Sequence, residues 1–82
     1  HVSENVKIHY LSGEEAMIHI NCPRYLNPVV RVMVLLQDLQ IQVHHASIST
    51  VQDVVHQSLL VKMRGQSFIT EDQIASAILK SA

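Results

Sequence analysis

Eighty-two residues suffice for one hydrophobic core and leave nothing over for a second, so the chain reads as one folding unit over residues 1–82. Hydrophobic residues make up 48% of it and charged residues 16%, enough apolar surface to offset chain entropy and too little charge to keep the chain unfolded. Six Lys and Arg stand against seven Asp and Glu, a formal charge of −1, and the cations are dispersed. With only Tyr10, Tyr25 and Phe68 as aromatics there is neither the positive field nor the stacking platform of a nucleic-acid binder.

The single cysteine, Cys22, forms no internal disulfide, and no CxxC or other zinc-ligand spacing occurs, which points to a reducing compartment, cytoplasm or nucleus. No apolar run approaches the ~18–20 residues that span a bilayer, and no charged region precedes an apolar one at the N-terminus. The chain opens on His1 rather than Met, as expected of a segment of a longer protein.

Val6, Ile8 and Tyr10 alternate with Lys7 and His9, the period of two of a half-buried strand, and predict strand one over residues 5–11. Ser12-Gly13-Glu14 supplies turn chemistry. Ala16, Ile18, Ile20 and Cys22 then alternate with Met17, His19 and Asn21, a second strand paired to the first as a hairpin. Pro23 cannot donate to a ladder, and Asn27-Pro28 reads as an N-cap followed by Pro at the first helical position. Val29, Val32, Met33, Leu36 and Leu39 or Gln40 continue at helical spacing; the valines are poor helix formers, so packing on a sheet must hold this helix.

From Ile41 the period returns to two, with Ile41 and Val43 on one parity and Ala46 and Ile48 on the other. A bulge at His44-His45 reconciles them. Ser49 to Asp53 reads as a polar turn. Val55, Leu59, Val61 and Met63 alternate as strand four, which Arg64-Gly65-Gln66 ends. Thr70 with Gln73 three residues on is a capping box, and Ile74, Ala77 and Ile78 form the buried stripe of a last helix. The order ββαββα fits a two-layer α+β sandwich, a four-stranded antiparallel sheet with both helices on one face. Its expected core is Val6, Ile8, Ile18, Ile20, Val32, Leu36, Leu59, Val61, Ile74 and Ile78.

No residue constellation points to catalysis, to a resident metal or to a cofactor. His9 and His19 lie on strand faces opposite the apolar set, where exposure explains them, and two ligands without a third make no catalytic zinc site. His44 and His45, adjacent in a strand, point to opposite faces and cannot jointly clasp one ion; one of them faces the core, where a backbone group satisfies its ring, or else a partner. Cys22 has apolar parity and reads as a small hydrophobe rather than a nucleophile. Glu14-Glu15 belongs to a turn, and Glu71-Asp72 complements a helix dipole. There is no Walker loop, GxGxxG or GxSxG, so nothing speaks for an enzyme.

The stretch Glu14-Glu-Ala-Met-Ile-His-Ile-Asn-Cys-Pro23, the helix through Val32-Met-Val-Leu-Leu-Gln-Asp-Leu39, and Val43-His-His-Ala-Ser-Ile-Ser-Thr50 together resemble the ACT-like domain at the C-terminus of plant basic helix-loop-helix transcription factors. The similarity continues through Val61-Lys62-Met63 and the last helix. The resemblance implies a single ACT-like domain over 1–82, in which an added N-terminal strand replaces the last strand of the ferredoxin-like ACT fold. It also implies a nuclear location and a dimerisation role, as homodimer or with a related ACT-like domain, while DNA is bound by another part of the parent. ACT domains of metabolic enzymes bind amino acids beside a glycine in the loop before the first helix. Here that loop reads Cys22-Pro-Arg-Tyr-Leu-Asn-Pro28 without glycine, which argues against the alternative, an amino-acid-responsive module with its site near Pro23–Pro28 and the start of the strand at Ile41.

In the ferredoxin-like arrangement strand three is an edge. Ile41 to Thr50 carries no Lys, Arg, Asp, Glu or Pro, the usual devices that block edge pairing. The expected dimer contacts are therefore Ile41, Val43, His44, His45, Ala46 and Ile48, with His44 or His45 near its own symmetry mate, so that acid weakens the dimer. Strand one, with Lys7 and an exposed terminus, is the weaker rival edge.

Overall fold

The computed structural model describes residues 5–64 and 68–79. Its elements are β1 (Val6–Tyr10), β2 (Glu15–Pro23), a 3-10 turn (Arg24–Leu26), α1 (Pro28–Asp38), β3 (Gln42–Val51), β4 (Val54–Lys62) and α2 (Glu71–Leu79). All strand pairs are antiparallel in one sheet of order β1-β2-β4-β3, so the expected ββαββα sandwich and its edge strands are the observed ones. The Gly65 and Gln66 expected to end strand four lie outside the described residues.

Alternation places Ala16, Ile18, Ile20 and Cys22 of β2 and Val55, Leu59 and Val61 of β4 against the helices, where all are buried. Val32 and Leu36 of α1 and Ile74 and Ile78 of α2 close the core from above. Of the expected core only Ile8 is not fully buried; it packs against the cluster from the rim of β1.

Local chemistry explains the boundaries. The Ser12 hydroxyl accepts from the backbone N–H groups of Glu14 and Glu15, fixing the β1–β2 turn. Thr70 and Gln73 form both halves of the capping box: the Thr70 N–H donates to Gln73 Oε1 at 2.7 Å and the Gln73 N–H donates to Thr70 Oγ1 at 3.1 Å.

Asn27 departs from expectation. It precedes α1 in the left-handed region (φ 50°) and its side chain makes no capping bond, because it also closes the preceding 3-10 turn through its N–H to the Arg24 carbonyl. The far end of α1 closes with a Schellman pair, Ile41 N–H to Leu36 carbonyl and Gln40 N–H to Gln37 carbonyl, with Gln40 at φ 58° where glycine is usual.

The β3–β4 connection is tighter than the expected Ser49–Asp53 turn. Gln52 and Asp53 both have positive φ (50° and 66°), the two-residue loop whose twist matches its strands, so Ser49, Thr50 and Val51 stay in β3. Asp53 also pins the loop before α1, its carbonyl accepting the Arg24 N–H and its carboxylate pairing with the Arg24 guanidinium at 2.8 Å.

Leu36 sits at the centre of this packing, 1% exposed beneath α1 and tied into its C-terminal cap. Leu36→Ala should cost ~2–5 kcal/mol, enough to unfold most of so small a domain, read as a collapse of the cooperative thermal transition; a variant melting with the parent would contradict the packing described.

Candidate functional site

The two free edges of the sheet are finished differently. At β1 the Ile8 N–H points away from β2 and donates to the Glu71 carboxylate at 3.1 Å, while the Tyr10 hydroxyl donates to the Ile69 carbonyl at 2.7 Å. The segment entering α2 thus caps β1. At β3, ten residues from Gln42 to Val51, no hydrogen bond beyond the ladder to β4 reaches the edge among the described residues, and no charged residue or proline guards it.

Register resolves the parity change in β3. Val43 opposes Val61 and His45 opposes Leu60, so His44 is the extra residue of a bulge at the expected place. Val43, Ala46, Ile48 and Thr50 then oppose Val61, Leu59, Gln57 and Val55, on the helix side of the sheet. Helix-side position brings little burial here: Ala46 and Thr50 are exposed and Ile48 is 45% exposed. Helix α1, about 16 Å long, covers only the start of a strand that runs about 34 Å.

One expected role needs correction, and one of two alternatives falls away. Ile41, only 5% exposed, precedes β3 and belongs to the core through the helix cap, so it is not an edge contact. Neither His44 nor His45 faces the core; both are exposed, because the bulge carries the parity change without burying a ring.

His9, His19 and His56 line the open face of the sheet. His9 and His19 meet edge to face with ring centroids 5.9 Å apart, His19 Nδ1 lies 2.9 Å from Ser58 Oγ, and His56 Nδ1 lies 2.6 Å from Asn21 Oδ1. Among the described residues no group of three or more His, Cys, Asp or Glu is placed to hold a metal ion.

On the helix layer, an open groove of about 820 Å3 runs between α1 and α2 past Val30, Val34, Asp38, Asp72 and Ala77, and touches the Cys22–Pro28 loop only at Asn27. That loop is itself filled from below by buried Leu26. Among the described residues no helix is long and apolar enough to cross a membrane.

Residues 5–82 match the family described as plant bHLH transcription factor, ACT-like domain. The chain belongs to this family. Transcription factor MYC2 of Solanum lycopersicum is 42% identical over 66 residues, 80% of the chain and 9% of that protein. Transcription factor MYC4 of Arabidopsis thaliana is 41% identical over 66 residues, 80% of the chain and 11% of that protein. Transcription factor FAMA of Arabidopsis thaliana is 32% identical over 68 residues, 83% and 16%. The chain thus spans about a tenth of the length of the first relatives it matches, and those relatives are transcription factors, not enzymes. No solved structure gives a significant match.

Cys22, 1% exposed on the helix side of β2, packs as a hydrophobe in this ACT-like domain, and its burial pushes the thiol above the usual cysteine range. The unfolded chain therefore releases this proton first. Stability from this group is complete below the ordinary cysteine pKa and falls as pH rises past it. Native protein at neutral pH should resist a thiol-alkylating reagent that modifies the unfolded chain at once, as followed by intact mass; equally fast native labelling would contradict the packing of β2.

Proposed function

We propose that this ACT-like domain is a protein–protein association module that joins a second copy of itself, or a related ACT-like domain, through the edge of β3. In doing so it tunes how its parent transcription factor assembles on DNA in the nucleus. The observation that carries this reading is the asymmetry of the edges: the Ile8 N–H of β1 is held by Glu71 and the Tyr10 side chain by the Ile69 carbonyl, whereas among the described residues β3 carries no charged residue or proline and no segment covers its outer side. Backbone pairing there would satisfy the unpaired amides and carbonyls of both chains at once, and the exposed ledge of Ala46, Ile48 and Thr50 adds apolar area beside them.

The net charge of −1 and dispersed cations agree with a domain that leaves DNA contact to another part of the parent. A contact linked to a second dimerising segment acts through effective concentration, so a weak association here shifts the pairing of the whole protein.

The test is to measure self-association of the parent chain, Ile48→Lys and His45→Pro by sedimentation equilibrium at neutral pH, with circular dichroism as a check on folding. A charge or a proline at this edge should weaken association about tenfold or more while the fold survives. Folded variants that associate as tightly as the parent would move the contact to the groove between α1 and α2 or to β1.

A further inference from the structure

Helices α1 and α2 lie antiparallel on the sheet: the guanidinium of Arg31, near the start of α1, donates to the carbonyl of Ile78, near the end of α2, at 3.0 Å. The groove between them has two unlike ends. Arg31 lines one; at the other stand Asp38, the last residue of α1, and Asp72, in the first turn of α2. Between the ends the lining is apolar or small, with Val30, Val34 and Leu35 on α1 and Ser76 and Ala77 on α2.

Two features of this groove disfavour the domain on its own. Val30 is 65% exposed and Val34 51%, one turn apart on the outer side of α1. Branched side chains are stiff at χ1 and form helix less readily than Lys, Glu or Ala at such open positions, so the helix itself gives no reason for them. Asp38 is exposed at the C-terminal end of α1, where the helix dipole already sets a negative potential. Among the described residues neither Asp38 nor Asp72 has an ion pair or a side-chain hydrogen bond. The one cation lining the groove, Arg31, is two turns of α1 from Asp38, about 10 Å, and reaches to Ile78 instead.

We infer that this groove takes a helix of another protein, about three turns long, apolar along one side and carrying Lys or Arg at the end that lies over Asp38 and Asp72. Shape sets the helical form. Two antiparallel helices leave a straight furrow as long as α1, about 16 Å, and the small Ser76 and Ala77 let a third axis come within the ~8–10 Å of close helix packing. Charge sets the direction: carboxylates unpaired in the monomer gain a charged partner, and an incoming helix adds the positive end of its dipole when its N-terminus lies there. A second copy does not supply that cation, since within α1 and α2 the only one is Arg31, already engaged. The same carboxylates repel nucleic acid and anionic membranes. Pairing at β3 extends the sheet and leaves the helix layer open, so this inference stands independently of the edge reading.

The test offers the 82-residue chain to a displayed library of helical peptides randomised along one face. Enriched peptides should carry apolar residues at i, i+3 or i+4 and i+7, with Lys or Arg toward the N-terminal end. Val34→Lys and Asp38→Lys should each weaken their binding about tenfold or more. Both variants should melt no lower than the parent, because lysine is a good helix former and at position 38 it complements the dipole. Ile48→Lys, on the β3 edge, should leave peptide affinity unchanged. An absence of enriched peptides, enriched helices without a cation, or affinities that Asp38→Lys does not move would each overturn the inference. Loss of self-association in Val34→Lys, measured by sedimentation equilibrium, would overturn it too and assign the groove to a second copy.

Discussion

A β-strand has two sides of backbone hydrogen-bonding groups, and in a four-stranded sheet the outer sides of two strands must be answered by something other than the sheet. Everything distinctive about this domain follows from how unequally that demand is met. The segment from Ile69 to Glu71 closes off β1 while starting α2, so one stretch of chain both caps a strand and caps a helix. Nothing comparable lies outside β3 among the described residues. Sheet order leaves that strand at the margin, α1 is too short to roof it, and the bulge at His44 keeps its apolar residues on the helix side as they run out from under the helix.

Burial along β3 shows the consequence. Val43, near α1, is half-buried against the core, whereas Ala46, Ile48 and Thr50 share its side of the sheet and lie open. A strand that places aliphatic side chains inward and then leaves them uncovered is incomplete as a monomer surface. By contrast, the outer face of the sheet is dressed with His9, His19, Asn21, His56 and Ser58, several of them bonded to each other, and is finished as a solvated surface. The proposed association locates the unfinished business of the fold at one edge rather than over a whole face.

Much of this was legible in the sequence, because periodicity reports directly on which face a residue occupies. The parity change between Val43 and Ala46 demanded an extra residue, and register shows it at His44; Thr70 and Gln73 stood at capping-box spacing and both bonds are made. The order of strands came from family resemblance, since alternation alone does not say which strands are neighbours. What could not be read were contacts between residues far apart in the chain. Glu71 looked like a helix-dipole residue until the fold laid it against Ile8, 63 positions away. Gln57 was passed over because a polar residue in an alternating strand reads as a break in the pattern, and only the three-dimensional packing shows it buried. Gln40 and Gln52 took left-handed conformations without being the residue types that announce them, so the Schellman cap and the two-residue hairpin loop were hidden as well.

Amide hydrogen exchange resolved by residue, recorded across a dilution series, tests the open edge most directly. The N–H groups of β3 that do not bond β4 should exchange as free amides at high dilution and become protected in proportion to the dimer fraction as concentration rises. The Ile8 amide, already held by Glu71, should not change with concentration. Edge amides of β3 that still exchange freely at concentrations where the protein is dimeric would contradict the account.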